Sequence, residues 1–448
     1  MLNLSYSLLA LVFMTNLARA QSPLSDQVDE NLKTINMVIS AKWKDEISRS
    51  KDFPFPYITA FAQDPHMFYW DTYFINKGLI ATGNVQLAKQ NTINLLSVIS
   101  RYGFMGNAAI TTWGMNRSQP PYLSVMVRDI YEVEKNEEIL RYAYPLLKQE
   151  YKFWTDTSSQ AIENHQTDIA GLQRYYHHAS PQELISLYNE IADRLGLQKE
   201  LPDEQKSKIA SDYAAEAESG MDFTPRFEHR CSQFIAVDLN SLLYLMEKNL
   251  GWMCVQLKLK NEPKWAAYAS NRAELINKYC WDEKMGMYYD YDFVEGRRSR
   301  VAAVTTFQPL WAGIASAQQA RRIVENLNIF ATPYGLRTTS ADKESENYQW
   351  GSNSLWAPMQ LIAAEGLKHY GYSESANEIA LNFMRLVAEN HSTPRSSKKA
   401  AQPQRLPGLI YEKYKSDGTI NDDETDARPM MGWTAGVYAH LYQMLNRR

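Results

Sequence analysis

The sequence predicts an all-α domain of many helices joined by functional loops. Three observations carry that reading. Apolar residues recur at steps of three and four through most of the 448 residues, the spacing that lines one face of a helix. Gly, Pro and Asn breaks such as ATGN, NRSQPP, ATPYGL and HYGYSES separate those runs. Strand alternation is scarce; only MGMYYDYDFVEG reads as a short hairpin.

The elements follow in chain order. The first twenty residues contain LSYSLLALVFMTNLARA, an apolar run ending Ala-Arg-Ala before Gln21. That pattern predicts a cleaved secretory signal over 1–20. The run is short of the roughly 20 apolar residues a membrane span needs. The mature chain, 21–448, is therefore expected as one catalytic domain, periplasmic or secreted, with no stable membrane span. Ile139, Leu140, Leu146, Leu147 and Phe153 form one helical stripe. Leu239, Leu242, Leu243, Met246, Leu250 and Met253 form a second, and Ile379, Phe383, Met384, Leu386 and Val387 a third. Pro120 and Pro121 end a segment sharply just before a new helix. The charged KELPDEQKSK and the polar STPRSSKKAAQPQ read as mobile stretches. No Pro/Ser linker or short repeat divides the chain, which argues against a solenoid.

Composition narrows the function. A formal charge of −4 offers no basic field for nucleic acid. The three cysteines, Cys231, Cys254 and Cys280, have neither disulfide-framework nor zinc spacing and read as core residues. No metal or other cofactor is implied. The 11 Trp, 28 Tyr and 15 Phe often stand beside acids or Gly in loop-like stretches. An acidic cleft lined by aromatic faces suits a sugar.

Four clusters combine acids, Arg and aromatics: FYWDTYF, NRSQPPY, ESGMDFTPRF and YEKYKSDG. In the third, Glu218 and Asp222 stand four residues apart around Gly220, and Arg226 follows after another four. A solvated turn is one account of this pattern; a carboxylate held at a helix end for catalysis is the other. Arg117, with its planar fork, either grips a ligand or braces its loop. Glycoside hydrolysis needs two carboxyl groups flanking the scissile bond, one protonated and one ionised.

Taken in order, these clusters resemble the trehalases, glycoside hydrolase family 37. YQWGSNSLWAPMQLIAAEGLKHYG (348–371) resembles the family's second signature. WDTYF, NRSQPPY, AESGMDF, VDLNSL, GLRTTS, and YEKY ahead of GWTAGV keep the family's order from Phe53 to Val437. The resemblance implies an (α/α)6 toroid of alternating inner and outer helices, hydrolysing a small sugar with inversion; the chain is expected as a monomer. It places the general acid on Asp222 and the general base on Glu412, with carboxyls about 6.5–9.5 Å apart. Trp70 and Asp71 match the first motif, Asn107, Arg117 and Gln119 match pocket-lining polar residues, and Trp350 matches the second signature. Glu218, Gly220 and Arg226 are expected at the substrate as neighbours of the acid. Glu424, nine residues before Trp433, is either a lid carboxylate or part of a solvated acidic loop.

The departures fall on sugar-binding positions. Gln63 and Ser180 stand where the family has Arg, His66 where it has Glu, and Gly351 where it has Asp. Two missing arginines remove charge-assisted hydrogen bonds worth about 1.5–3 kcal/mol each. His66, His177 and His178 are the residues that could compensate. Trehalose is the first expected substrate and another α-linked sugar the second. A catalytically silent sugar-binding protein is the non-enzymatic alternative, and a polysaccharide lyase on the same fold the third.

Overall fold

The computed structural model describes residues 26–61, 66–111, 113–157, 164–260, 263–343, 345–392, 408–420, 427–428 and 430–446. The expected signal (1–20), Gln63 and Glu424 lie outside them. In chain order the helices are α1 (Asp26–Lys42), α2 (Tyr69–Ala81), α3 (Val85–Tyr102), α4 (Leu123–Glu134) and α5 (Glu137–Thr155). Next come α6 (Pro181–Leu195), α7 (Asp203–Glu218), α8 (Val237–Gln256), α9 (Trp265–Tyr279) and α10 (Gln308–Ala312). The series ends with α11 (Ala317–Glu325), α12 (Ala357–His369), α13 (Ser373–Ser392) and α14 (Gly432–Asn446).

Six of these, α2, α4, α8, α10, α12 and α14, form an inner ring, and α14 packs along α2 to close it. The others except α6 and α7 pack outside, giving the (α/α)6 toroid that the family resemblance implies. The inner helix α2 is buried on nearly every face, from Tyr69 through Asn76 without a break. Such all-round burial is what a helix enclosed by neighbours requires. The stripes read from sequence fall on α5 and α13 in the outer layer and on α8 in the inner ring. The α6–α7 hairpin is an insertion with a small core of its own, built on Leu184, Tyr188, Ala192, Ala210 and Ala214. Part of KELPDEQKSK, read as mobile, forms the start of α7, and STPRSSKKAAQPQ lies almost entirely outside the described residues.

Ring closure has a local cause. A Cβ on Gly78 would stand 2.3 Å from the Gly436 Cα, and one on Gly436 would stand 2.2 Å from the Phe74 carbonyl oxygen. Only glycines let α2 and α14 approach this closely. Below that contact, Lys77 (α2) pairs with Glu365 (α12) at 3.1 Å and Asp129 (α4) at 3.6 Å. His440 (α14) and the Trp311 indole (α10) both reach Glu365 at 2.7 Å. Five inner helices thus share one polar cluster, half-buried at Lys77, Asp129, Glu365 and His440, in which each charge has an opposite partner.

The short strands are confined to connections between helices. Trp281–Asp282 pairs with Met287–Tyr288, and Tyr291–Asp292 with Arg297–Arg298, so MGMYYDYDFVEG contributes to two hairpins. Cys231 and Cys280 are buried, whereas Cys254 is half-buried, its thiol 3.1 Å from the Tyr144 hydroxyl.

Candidate active site

The motifs converge because inner helices begin where the motifs end. Trp70 opens α2, NRSQPP runs into α4, the ESGMDF segment precedes α8, Trp356 immediately precedes α12, and Trp433 opens α14. One end of the ring therefore gathers the loops, beside helix N-termini with partial positive charge.

Asp222 sits on the turn that follows α7. Gly220 takes φ +71°, and a Cβ there would lie 2.7 Å from the Trp70 ring. Both the left-handed backbone and the contact require glycine. Three non-glycine residues downstream, Phe223, Glu228 and His229, also adopt positive φ of 60°, 51° and 61°. Such strain persists only where surrounding contacts over-determine it, and the contacts are present. Glu216 accepts from the Thr224 amide at 3.1 Å. The Phe223 carbonyl accepts from the Trp350 amide at 3.2 Å, and the Thr224 hydroxyl donates to the Trp350 carbonyl at 3.3 Å. Burial pushes the Asp222 carboxyl above its ordinary value, while the positive charges of Arg117 and Arg194 pull against that rise. Glu216 is pushed up further, again by burial, with the neighbouring Asp222 charge adding to it.

Glu412 reaches the same end by strand pairing. Ser354–Trp356 pairs antiparallel with Lys413–Lys415, Trp356 opposite Lys413. The Trp433 indole donates to the Glu412 carbonyl at 3.0 Å, and Thr434 donates its hydroxyl to the Tyr411 carbonyl at 2.8 Å. Four tryptophans join the two carboxylate segments. Trp350 stacks on Trp356 with centroids 3.8 Å apart and planes 4° apart. Trp70 lies 5.6 Å from Trp350 and 5.8 Å from Trp433, the latter edge to face. The Asp222 turn rests on Trp70 and Trp350, and the Glu412 backbone hangs from Trp433.

A polar wall comes from the segment before α4. The Asn107 amide lies within bonding distance of both the Gly114 and Arg117 carbonyls, at 2.7 and 2.8 Å. The Gln119 side-chain oxygen accepts from the Trp70 amide at 3.1 Å, filling one of the free donors at the start of α2. Arg117 donates to the Asn116 side chain at 2.9 Å, while its buried Nε–H finds no acceptor among the described residues. Asp71 and Asn107 are buried beside them.

Three of the expected substrate residues are engaged elsewhere. Glu218 has no exposed surface; it accepts from the Ser118 and Tyr176 amides at 2.8 Å each and meets His165 Nε2 at 2.9 Å. Burial alone would raise its carboxyl, but His165 and the two amides hold it below its ordinary value. Arg226 is also fully buried, and its five N–H groups go to Asp238, Asp290 and the Met221 sulfur. No donor is left for a ligand, so Arg226 braces the turn. Gly220 gives its space to Trp70.

Two of the departures from the family pattern, Ser180 and Gly351, have a structural account among the described residues. Ser180, in an expected Arg position, caps α6: its hydroxyl accepts from the Glu183 amide and Glu183 accepts from the Ser180 amide. A Cβ on Gly351 would fall 1.8 Å from the Ser345 carbonyl oxygen, which excludes the Asp expected there. His177 accepts from the Ala179 amide and meets the Ser211 hydroxyl at 2.8 Å. His178 lies against Phe104 and Phe153, and His66 is half-buried near Phe68. Arg194, which the motifs did not single out, stands 3.7 Å over the Phe223 ring and donates to the Gln349 side chain. No local signal marks it; it reaches the turn from the end of α6.

A family model described as Trehalase matches residues 13–446. A periplasmic trehalase of Xanthomonas oryzae pv. oryzae is 30% identical over 389 residues, covering 83% of this chain and 66% of its own length. A periplasmic trehalase of Pseudomonas aeruginosa is 28% identical over 412 residues, covering 87% and 71%. The chain thus spans about two thirds of the length of these relatives. Among solved structures, neutral trehalase Nth1 of Saccharomyces cerevisiae superposes with a TM-score of 0.70 at 24% identity, over 89% of this chain and 76% of that one. A GH63 mannosylglycerate hydrolase of Thermus thermophilus gives 0.62 at 17% identity, over 91% and 99%.

Proposed function

Since the chain belongs to the trehalase family, we propose that it is an inverting glycoside hydrolase that cleaves an α-linked glucoside, trehalose first. Asp222 is the general acid and Glu412 the general base. The observation that carries this reading is the four-tryptophan cluster, which docks the turn bearing Asp222 and the strand beside Glu412 on one body. Asp222, held above its ordinary value by burial, keeps its proton until it is given to the departing glycosidic oxygen. Glu412 takes a proton from water as that water attacks the anomeric carbon from the opposite face. One C–O bond breaks, another forms, and the anomeric configuration inverts. Arg117, Asn107 and Asp71 bind sugar hydroxyls, Trp70 and Trp350 wall the pocket, and Gln119 keeps Trp70 in register. Glu218 and Arg226 act one layer back, by holding the loops that carry Arg117 and Asp222.

A second reading concerns the substrate alone. With Ser180 spent on a helix cap and Gly351 unable to carry a side chain, the shell that reads glucose differs from the family pattern. Another α-linked sugar then replaces trehalose with the same chemistry. The relatives' names and the apolar run of residues 4–20 support action in the periplasm or outside the cell. Among the described residues no helix is long and apolar enough to cross a membrane.

The test is a panel of α-linked disaccharides offered to wild type, Asp222→Asn and Glu412→Gln, with the product anomer followed by NMR. Wild type should release the β anomer, and each substitution should lower kcat by about 10²–10⁴-fold. Retained turnover in either variant would remove that residue from its role, and saturable sugar binding without turnover in wild type would favour a binding protein.

A further inference from the structure

Beside the acid turn lies a cavity of about 640 Å³ that the reaction above does not use. One wall is the α6–α7 hairpin, with Arg194, Lys208, Asp212 and Tyr213; the other is Phe223 and the segment Asn347–Gln349. Its volume falls within the roughly 300–1,000 Å³ of small-molecule sites.

The lining defines the ligand. Tyr213 and Phe223 stand with ring centroids 6.4 Å apart, and His229 ties two tyrosines together, its Nδ1 3.2 Å from the Tyr213 hydroxyl and its Nε2 2.8 Å from that of Tyr348. The result is an aromatic lining that bridges the two walls, apolar on its faces and polar at its edges. Both signs of charge border the space, Arg194 and Lys208 facing it along with Asp212. A polyanion would meet the Asp212 carboxylate, and a purely apolar ligand would match Leu195, Leu197 and Ile209 but desolvate the exposed Lys208 ammonium without return. A polyhydroxylated ring, with C–H faces and a rim of donors and acceptors, satisfies the aromatic and the charged groups together.

The cavity also shares its wall with the proposed chemistry. Phe223 follows Asp222 directly, and Arg194, whose charge acts on Asp222, covers the Phe223 ring at 3.7 Å. Phe223 and His229, both on this wall, hold the strained positive φ noted above, of the kind that clusters at ligand clamps.

We propose that this cavity is a second sugar-ring site. It takes a pyranose, either as the outer unit of an oligosaccharide whose scissile bond lies at Asp222 or as a free monosaccharide. The first source rests on the hydrolase reading; the second does not.

The experiment compares wild type, Tyr213→Ala and Lys208→Gln. Lys208 is exposed, so its variant keeps the test open should Tyr213→Ala fail to fold. One arm measures the ratio of kcat/KM for an α-glucosyl trisaccharide to that for the matching disaccharide. The other titrates glucose into the Asp222→Asn protein, with and without each cavity substitution, by calorimetry. An outer-unit site predicts a ratio above one in wild type that falls about five- to tenfold in the variants. A free-sugar site predicts an unchanged ratio and two saturable glucose sites, one of them lost on substitution. The proposal is overturned if the ratio and the titration are both indifferent to the two substitutions. Should wild type hydrolyse no sugar, the hydrolase reading fails while the glucose titration still decides the cavity.

Discussion

Asp222 is set between opposing influences, burial that favours its protonated form and two arginines that favour its ionised one. Arg194 is the adjustable partner, because it reaches the turn from α6 and lies outside the motifs. Removing its charge raises the Asp222 carboxyl further, so Arg194→Gln should move the alkaline limb of the pH–rate profile to higher pH. An unmoved limb would show that Arg194 does not act through Asp222. His177 offers a second titration. Burial, first, and then the charges of His178, Arg117 and Arg174 push its imidazole from 6.5 down to about 4, against the pull of Glu218. Between those two values the unfolded chain binds a proton that the folded one excludes. Stability therefore rises with pH from about 4 to 6.5 and is complete above it, a difference of up to about 3 kcal/mol. Urea unfolding at pH 4.5 and 7 should show the slope in wild type and a shallower one in His177→Gln.

Helix α6 shows how one residue's role passes from ligand to element. The segment SPQE at its start carries the S-x-x-E pattern of a capping box, and the structure forms that box in full. The capping signal is local to these four residues, whereas the family's Arg position speaks only of the sugar site. Ser180→Ala should cost about 1 kcal/mol of stability, measured as a fall in urea midpoint, with kcat on the best disaccharide unaffected. A drop in kcat larger than the loss of folded protein would restore Ser180 to the sugar site. The periodic stripes are legible in the same local way. Their spacing locates α5, α8 and α13 but does not separate inner from outer helices, since burial of the remaining faces depends on neighbours far along the chain.

The toroid as a whole depends on the contact between α2 and α14, where the first and last inner helices meet at Gly78 and Gly436. A methyl group at Gly436 must displace the Phe74 backbone, an overpacking that costs about 1–3 kcal/mol. Trp70 and Trp433 extend from those two helices into the tryptophan cluster. Gly436→Ala should therefore lower both thermal stability and kcat, with little change in helix content by circular dichroism. Loss of stability with normal kcat would show that the cluster tolerates a shifted α14.

The local facts of this chain were written in its sequence. Helical spacing located α5, α8 and α13, and the family resemblance put forward Asp222, Glu412, Trp70 and Trp350 as site residues. The direction in which a polar side chain points was decided only by the tertiary structure. Glu218 and Asp222 are near neighbours on one turn, yet Glu218 is consumed by partners 42, 53 and 100 residues away, and Arg226 by carboxylates 12 and 64 residues away. Arg194 enters the site by the same kind of long-range approach. Hydrogen-bond partners and burial are set by how distant elements pack, so residue type and spacing name the groups available, and the closed ring selects which face the substrate.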